Sequence, residues 1–187
     1  NKMLKILMNN PDIGAACPLL LGADGNFQHE YFRKFPGLMQ FLLFYMVFSK
    51  PFYYSAKARR MFYEIAPNLQ SGSQEVVEQI PCAFFFTRYK IYEEVGKMDD
   101  KYVLFYEDVD LSFQVNKKYT LVLDTTVKVM HYGGSSFSNE NNSWLYGRFL
   151  ISMNYFFDKN YGFIRSLLLK ILSVSNSVFI VILEYCK

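Results

Sequence analysis

Residues that form disulfides, metal sites or nucleic-acid surfaces are scarce in this chain of 187 residues. Its three cysteines, Cys17, Cys82 and Cys186, are odd in number and lack metal-like spacing. A disulfide framework is therefore not expected, and reduced thiols indicate a cytosolic setting. The net charge is only +3 and no long basic run occurs. This charge argues against nucleic acid as the main partner but allows attraction to an anionic membrane surface.

The chain also lacks an initiator methionine and a signal peptide. It opens with "NKMLKILMNNPDIGAACP", which predicts an amphipathic helix that ends before Asn10-Pro11. We therefore expect a chain that begins inside a larger protein.

No apolar run reaches the length that a membrane-spanning helix requires. The uncharged apolar parts Leu38–Phe48 and Ile171–Leu183 hold 11 and 13 residues, whereas a span needs about 20. The first lies in an apolar stretch, about 35–66, that turns basic at its end and either packs into a core or lies in a membrane interface. The tail, 138–187, is expected to be helical and to lie in an interface or dock on the protein, with a full transmembrane helix as the marginal alternative.

Apolar and aromatic residues are abundant, at 51% and 19% of the chain, and they exclude a disordered protein. The length is that of one ordinary domain. Strands are predicted for "IGAACPLLL", for "VVEQIPCAFFFTR" with a break at Pro81, and twice within "YTLVLDTTVKVMHYGG". Helices are predicted for "YKIYEEVG", ended by Gly96, and for the segment that starts near Asp108.

The stretch "YVLFYEDVDLSFQV" places Glu107, Asp108 and Asp110 directly behind an apolar run. One interpretation is that Asp108 or Asp110 caps the helix that follows. The other is that one carboxylate serves as a general base, with Glu107 as a like-charged neighbour that raises the pKa of Asp108. Both interpretations remain open at this point.

His131 ends a predicted strand in "VMHYGG" and is one of only two histidines. Its position fits either a structural hydrogen bond or a ligand role, because Gly133 and Gly134 behind it allow close approach of the backbone. If the helix from Asp108 lies between strands, Asp108 and His131 converge at one crevice of an open α/β sheet.

Three separated motifs give the chain a family resemblance. "NNPDIGAACPLLLGADGNFQ", "AFFFTRYKIYEEVGKMDDKYVLFYEDVDLSFQV" and "VKVMHYGGSSF" follow each other in the order and spacing of family 2 glycosyltransferases, closest to the bacterial rhamnosyltransferase-like group. The resemblance covers roughly residues 5–137. It implies the C-terminal, acceptor-side portion of a GT-A domain, which is an α/β fold with a mostly parallel sheet, followed by the helical tail.

The resemblance also implies roles for the polar residues. Asp108 matches the catalytic base of an inverting sugar transfer, Glu107 a position that helps to hold the acceptor, and His131 a ligand of the divalent metal. Asp110, Gly133 and Gly134 are secondary candidates. The metal, Mn²⁺ or Mg²⁺, is expected only together with the complete donor site, because the family's donor half precedes the first of these motifs.

The implied function is transfer of a sugar from a nucleotide-sugar donor to a saccharide or lipid-linked acceptor in cell-surface polysaccharide synthesis. The expected location is the cytoplasmic face of a bacterial membrane, with peripheral attachment. The alternative is a non-catalytic, membrane-associated binding or scaffold protein that keeps the family core without its donor site. A metal hydrolase that uses Asp108, Asp110 and His131 is a third hypothesis, for which further ligands are lacking.

Overall fold

The computed structural model of the protein describes residues 2–46, 72–133 and 140–185, with side chains as far as 182. Four strands form one sheet: β1 (Ile13–Leu21), β2 (Gln74–Val77), β3 (Phe86–Thr87) and β4 (Thr120–Met130). The α-helices are α1 (Lys2–Asn9), α2 (Leu38–Gln40), α3 (Tyr89–Glu94), α4 (Glu107–Asn116), α5 (Asn142–Asn160) and α6 (Phe163–Tyr185). Three shorter helical turns are His29–Tyr31, Phe41–Tyr45 and Cys82–Phe84.

The sheet is mixed and has the strand order β2-β4-β1-β3. β1 and β4 pair in parallel, whereas β1 pairs with β3, and β2 with β4, in antiparallel orientation. The mixed α/β class is therefore confirmed, and the expected mostly parallel sheet is wrong for the described strands. The two short strands lie at the edges, where antiparallel strands commonly join a parallel pair.

β4 is one continuous strand, so the prediction of two short strands is wrong. Its pairing with β1 slips between Pro18 and Leu19, where the partner changes from Asp124 to Lys128. Residues 125–127 of β4 therefore have no partner on β1. Among them, the backbone N–H of Thr126 donates a hydrogen bond of 2.8 Å to the buried Asp124 carboxylate. The expected break is therefore a β-bulge that the strand passes through.

The predicted strand around Pro81 is largely replaced by irregular backbone. The Ile80 N–H bonds the Ser112 hydroxyl at 3.0 Å, and the Cys82 N–H bonds the Asp108 carboxylate at 3.3 Å. Both acceptors belong to α4, so this backbone is satisfied by side chains of a helix and not by a neighbouring strand.

Successive residues of β1 point to opposite faces of the sheet, and both faces are buried there. Ala15 and Cys17 face a cluster shared with Leu111 and Val115 of α4, whereas Ala16 faces a second cluster formed with α1. The alternation follows from the two-residue period of a strand. It explains why "IGAACPLLL" is apolar throughout.

A separate aromatic cluster joins α4 to the C-terminal helices. Phe41, Tyr106, Phe156 and Leu169 are buried in it, and Phe113 packs against it from α4. The described beginning of the 35–66 stretch thus packs into a core, whereas residues 47–66 lie outside the described residues. The tail is helical as expected, and α5 shares this core with α4.

One helix in the described part of the chain is long and apolar enough to cross a membrane, judged by length and composition alone. It is the 20-residue stretch Phe163–Ile182, of which 22% is buried. Many of its apolar side chains are therefore exposed to solvent in this structure.

An ion pair with a buried carboxylate connects α5 to α4. Lys159 Nζ lies 2.7 Å from a carboxylate oxygen of Asp110 and 2.7 Å from one of Asp99. Asp110 is 1% exposed and also accepts a hydrogen bond of 2.9 Å from the Asn160 amide. Removal of the lysine would leave this carboxylate buried without its cation.

We expect Lys159→Met to lower the free energy of unfolding by roughly 3 kcal/mol, because of that unpaired charge. Lys170→Met is the matched control: Lys170 Nζ also lies 2.7 Å from a carboxylate, that of Asp158, but both side chains are more than 40% exposed. Its loss should stay below about 1 kcal/mol. Urea unfolding of both variants tests the difference, and equal losses would contradict it.

Candidate functional site

A pocket of about 390 Å³ opens at the N-terminal end of α4. Its walls combine charged residues with aromatic rings, which suits a polar ligand with apolar faces. The lining residues are Glu30, Tyr31, Arg33, Lys34, Pro36, Tyr45, Gln79, Phe105, Tyr106, Glu107, Asp108, Val109 and Phe149.

The turn before α4 has an unusual backbone. Phe105 and Tyr106 both have positive φ angles, 65° and 69°, in the left-handed region that side chains other than glycine rarely occupy. Such a conformation costs roughly 1–2 kcal/mol per residue. The buried Tyr106 ring packs at 5.5 Å from the rings of both Phe149 and Phe156, and this packing offsets the cost. The strained turn fixes where α4 begins, immediately at the pocket.

The N-cap residue of α4 does not cap the helix with its side chain. Tyr106 occupies the N-cap position without a side-chain hydrogen bond, and Glu107, Asp108 and Asp110 lie inside the first turn. Asp108 is thus not the N-cap residue, but its carboxylate accepts from the Val109 N–H, a first-turn donor without a backbone partner in the helix. The capping interpretation therefore holds in this form for Asp108 and is wrong for Asp110. Carboxylates in a first turn still gain from the helix dipole.

Asp108 is held at the pocket wall by two backbone N–H groups. One carboxylate oxygen accepts from Val109 at 2.8 Å and the other from Cys82 at 3.3 Å. Burial raises the pKa of Asp108, although these hydrogen bonds and the nearby Arg33 charge act in the opposite direction. A fixed, half-buried carboxylate with a raised pKa has the properties of a general base.

Glu107 presents an unsatisfied acceptor beside Asp108. Its Oε2 is buried and has no hydrogen-bond partner among residues 2–46, 72–133 and 140–185. Burial raises the pKa of Glu107, its own backbone N–H lowers it, and the Asp108 charge raises it again. A buried acceptor without a partner is costly unless a ligand or water satisfies it, so this oxygen suits a substrate hydroxyl.

Asp110 is remote from this chemistry. It does not line the pocket, and its carboxylate is engaged by Lys159 and Asn160 of α5. Its place on α4 thus serves the contact between helices. The hydrolase hypothesis, which needs Asp110 as a ligand, loses support from this arrangement.

Several pocket residues escaped the sequence analysis. Arg33 donates from Nε to the Glu30 carbonyl at 2.6 Å and from Nη1 to the Tyr45 hydroxyl at 3.3 Å. Tyr31 and Lys34 belong to the same segment. The signal that could have identified them is the charged and aromatic stretch "HEYFRK", one residue after the "GADGNF" turn.

His131 follows the last residue of β4, and Gln28 fixes its ring. The Gln28 Nε2 donates to the His131 carbonyl at 3.1 Å, and the Gln28 Oε1 lies 2.9 Å from the His131 Nδ1. Because a carbonyl only accepts, the amide nitrogen must face it, which leaves Oε1 to accept a proton from Nδ1. His131 Nε2 then carries the free lone pair, which is the form that binds a metal.

The fit to a divalent cation rests on this one nitrogen. In the described ranges no group of three or more histidine, cysteine, aspartate or glutamate side chains could hold a metal ion. His131 therefore suits a cation whose remaining ligands come largely from a bound diphosphate. Gly133 lies two residues further on, and Gly134 lies outside the described residues.

The structure brings Glu107 and Asp108 together but does not place His131 in the same wall. Tyr31 separates them: it lines the pocket with Asp108, and its ring meets the His131 ring edge-on, with centroids 5.1 Å apart. The expected crevice thus has an acidic side and an imidazole side, with a phenol between them.

Comparisons with protein-family models, with curated proteins and with solved structures found no match to this chain. The family resemblance therefore rests on the motifs in the sequence.

Substitution of the candidate base should change stability with a defined sign. A raised pKa means that Asp108 stabilises the fold below its unfolded pKa, near 4, and that this contribution is lost as the pH rises through the folded pKa. We expect the melting temperature of Asp108→Asn to gain on that of the wild type between about pH 4 and pH 7, because only the wild type loses this contribution. The amide can accept only one of the two backbone hydrogen bonds, and that loss lowers the variant equally at every pH. Thermal unfolding across this range measures the gain.

Asp100→Asn provides the control for that experiment, because Asp100 is exposed in a loop. It should show no comparable gain. A difference in melting temperature between Asp108→Asn and the wild type that stays constant over this pH range would contradict the raised pKa of Asp108.

Proposed function

We propose that the protein is the acceptor-side part of an inverting family 2 glycosyltransferase that acts in cell-surface polysaccharide synthesis. The observation that carries the proposal is the anchored, half-buried Asp108, whose pKa is raised, beside the unsatisfied Glu107 Oε2. A base next to a free acceptor is the arrangement that activation of a substrate hydroxyl requires. The motif order supports the reaction class, and the pocket at the start of α4 supports this wall as the candidate place for it.

In this reaction Asp108 accepts the proton of the acceptor hydroxyl as that oxygen bonds to the anomeric carbon of the donor sugar. The bond from the anomeric carbon to the leaving phosphate oxygen breaks at the same time, and its electron pair departs with the nucleoside diphosphate. Glu107 orients the acceptor by hydrogen bonding. The raised pKa of Asp108 favours proton uptake, since it brings the carboxylate closer to the operating pH.

The pocket walls suit a saccharide. Tyr45, Phe105 and Phe149 line the pocket beside the carboxylates. Aromatic rings cover the apolar faces of a sugar ring while polar neighbours bond its hydroxyl groups. This combination supports a saccharide or lipid-linked saccharide as the acceptor.

His131 would hold the divalent cation, Mn²⁺ or Mg²⁺, through Nε2. When bound, the cation offsets the negative charge of the departing diphosphate. A nitrogen ligand suits Mn²⁺ at least as well as Mg²⁺, which prefers oxygen. The motif order of the family implies that the nucleotide-sugar pocket would be formed by residues that precede the first of the three motifs.

We expect Asp108→Asn to reduce sugar transfer by the full-length gene product by roughly 10²–10⁴, the usual contribution of general base catalysis. Transfer of a radiolabelled sugar from a nucleotide-sugar panel to membrane acceptors measures this. Asp100→Asn should keep wild-type activity, because that carboxylate lies exposed in a loop. Turnover near wild type in Asp108→Asn would remove Asp108 as the base.

Peripheral attachment to the cytoplasmic face of a membrane is the second part of the proposal. Exposed apolar side chains lie on both C-terminal helices: Ile151 of α5 is 64% exposed, and Val174 and Val178 of α6 are 64% and 54% exposed. These three residues line one open groove between the helices. An apolar face of this kind lowers its free energy by entering the acyl boundary of a bilayer.

We expect the double variant Val174→Asp/Val178→Asp to bind vesicles that contain anionic phospholipid more weakly than the wild type, by at least tenfold. Both side chains are exposed, so the fold should tolerate the change. Val103→Asp is the control, because Val103 is 76% exposed but lies in the loop before α4. Co-sedimentation measures the binding, and equal binding of all three proteins would contradict the assigned surface.

The exposed apolar face also favours the second candidate, a membrane-associated binding or scaffold protein without catalysis. The two candidates differ in what the full-length gene encodes. A nucleotide-binding half in frame ahead of the first motif favours the enzyme, and its absence favours the scaffold.

A further inference from the structure

We propose that the Tyr31 hydroxyl is a third substrate-contacting group of this site and donates a hydrogen bond to the leaving diphosphate oxygen. The inference rests on the proposed function. Tyr31 lies outside the three motifs that carry the family resemblance.

Tyr31 occupies the place between the two sides of the site. It ends the short helical turn His29–Tyr31 and lines the pocket that holds Glu107 and Asp108. Its ring stands edge-on to the His131 ring, with an interplanar angle of 69°. Under the proposed function, the acceptor lies on the Asp108 side and the diphosphate on the His131 side.

The Tyr31 hydroxyl is available as a donor. It makes no hydrogen bond within the described part of the chain and is only half-buried, so a ligand can reach it. Burial and the charges of Glu30 and Asp108 raise the pKa of Tyr31, against the opposing effect of Arg33. The phenol therefore stays protonated and serves as a hydrogen-bond donor rather than a base.

Gly133 leaves the space that the hydroxyl occupies. A Cβ built on Gly133 would lie 2.2 Å from the Tyr31 hydroxyl oxygen and 3.3 Å from Cζ. Any other residue would thus force the phenol to move. This close approach gives a reason for glycine at position 133 that does not depend on a ligand.

The chemistry needs a donor at this place. In an in-line displacement the attacking and leaving oxygens lie on opposite sides of the anomeric carbon, and negative charge grows on the leaving oxygen. A fixed neutral donor aimed at that oxygen stabilises the transition state more than the ground state. A phenol between the base side and the imidazole side is positioned for this contact.

The packing part of the inference is tested by a double-mutant cycle on this chain. In the wild-type background, Gly133→Ala should lower the melting temperature, because the new methyl group collides with the Tyr31 hydroxyl. In the Tyr31→Phe background, which lacks this hydroxyl, the same substitution should lower the melting temperature clearly less. Equal shifts in the two backgrounds would overturn the assigned position of the hydroxyl.

The ligand contact is tested with inorganic pyrophosphate as the probe, by calorimetry on the full-length gene product. Tyr31→Phe should weaken binding several-fold and reduce kcat roughly 100-fold, while the KM for the acceptor stays unchanged. Tyr132→Phe is the matched control: this neighbouring tyrosine is 67% exposed and should leave both quantities at wild-type values. Unchanged pyrophosphate binding and kcat in Tyr31→Phe would overturn the inference.

The outcomes separate this inference from the function on which it rests. Wild-type turnover in Tyr31→Phe together with an inactive Asp108→Asn removes Tyr31 and leaves the base assignment intact. An active Asp108→Asn removes the proposed function, and with it the role of Tyr31.

Discussion

The site depends on the aromatic packing that holds Phe105 and Tyr106 in left-handed backbone conformations. Neither residue would adopt a positive φ in a free loop, because the side chain collides with the backbone. The Tyr106 ring is fixed between Phe149 and Phe156, and the Ser152 hydroxyl holds the Leu104 carbonyl at 2.7 Å. The packing stabilises the strained turn, so that α4 begins immediately after it, at Glu107. The abrupt start then places two carboxylates at a pocket wall, where burial raises the pKa of each.

α4 is also the element that joins the two cores. Leu111 and Val115 face the sheet, whereas Val109 and Phe113 face the C-terminal helices. The pocket therefore lies at the seam between the sheet and the helical layer, where clefts in α/β proteins commonly form. The seam extends to α6, since the Asn176 amide donates to the Tyr45 carbonyl at 3.2 Å in the pocket wall. The last helix thus supports the pocket wall directly.

Local patterns predicted the elements whose signals are local. The amphipathic α1, the apolar β1, the glycine after α3 and the helix behind the acidic stretch all follow from neighbouring residues. The failures have non-local causes: Ser112 and Asp108 satisfy backbone near Pro81, and Asp124 carries β4 through a bulge. In the site, motif order named Asp108, Glu107 and His131 as candidates, and the fold brings the first two together in one pocket wall. The position of Tyr31 could not be predicted in this way, because it depends on three distant segments that meet only in the fold.

The stereochemistry of the product tests the central claim most directly. A single carboxylate base at the acceptor hydroxyl predicts one in-line displacement, and therefore inversion at the anomeric carbon. Membranes that contain the full-length protein, supplied with α-linked nucleotide sugars, should form a β-linked product, assigned from its proton NMR coupling constants. An α-linked product from the same donors would contradict the account, because retention requires a different role for the carboxylates at the start of α4.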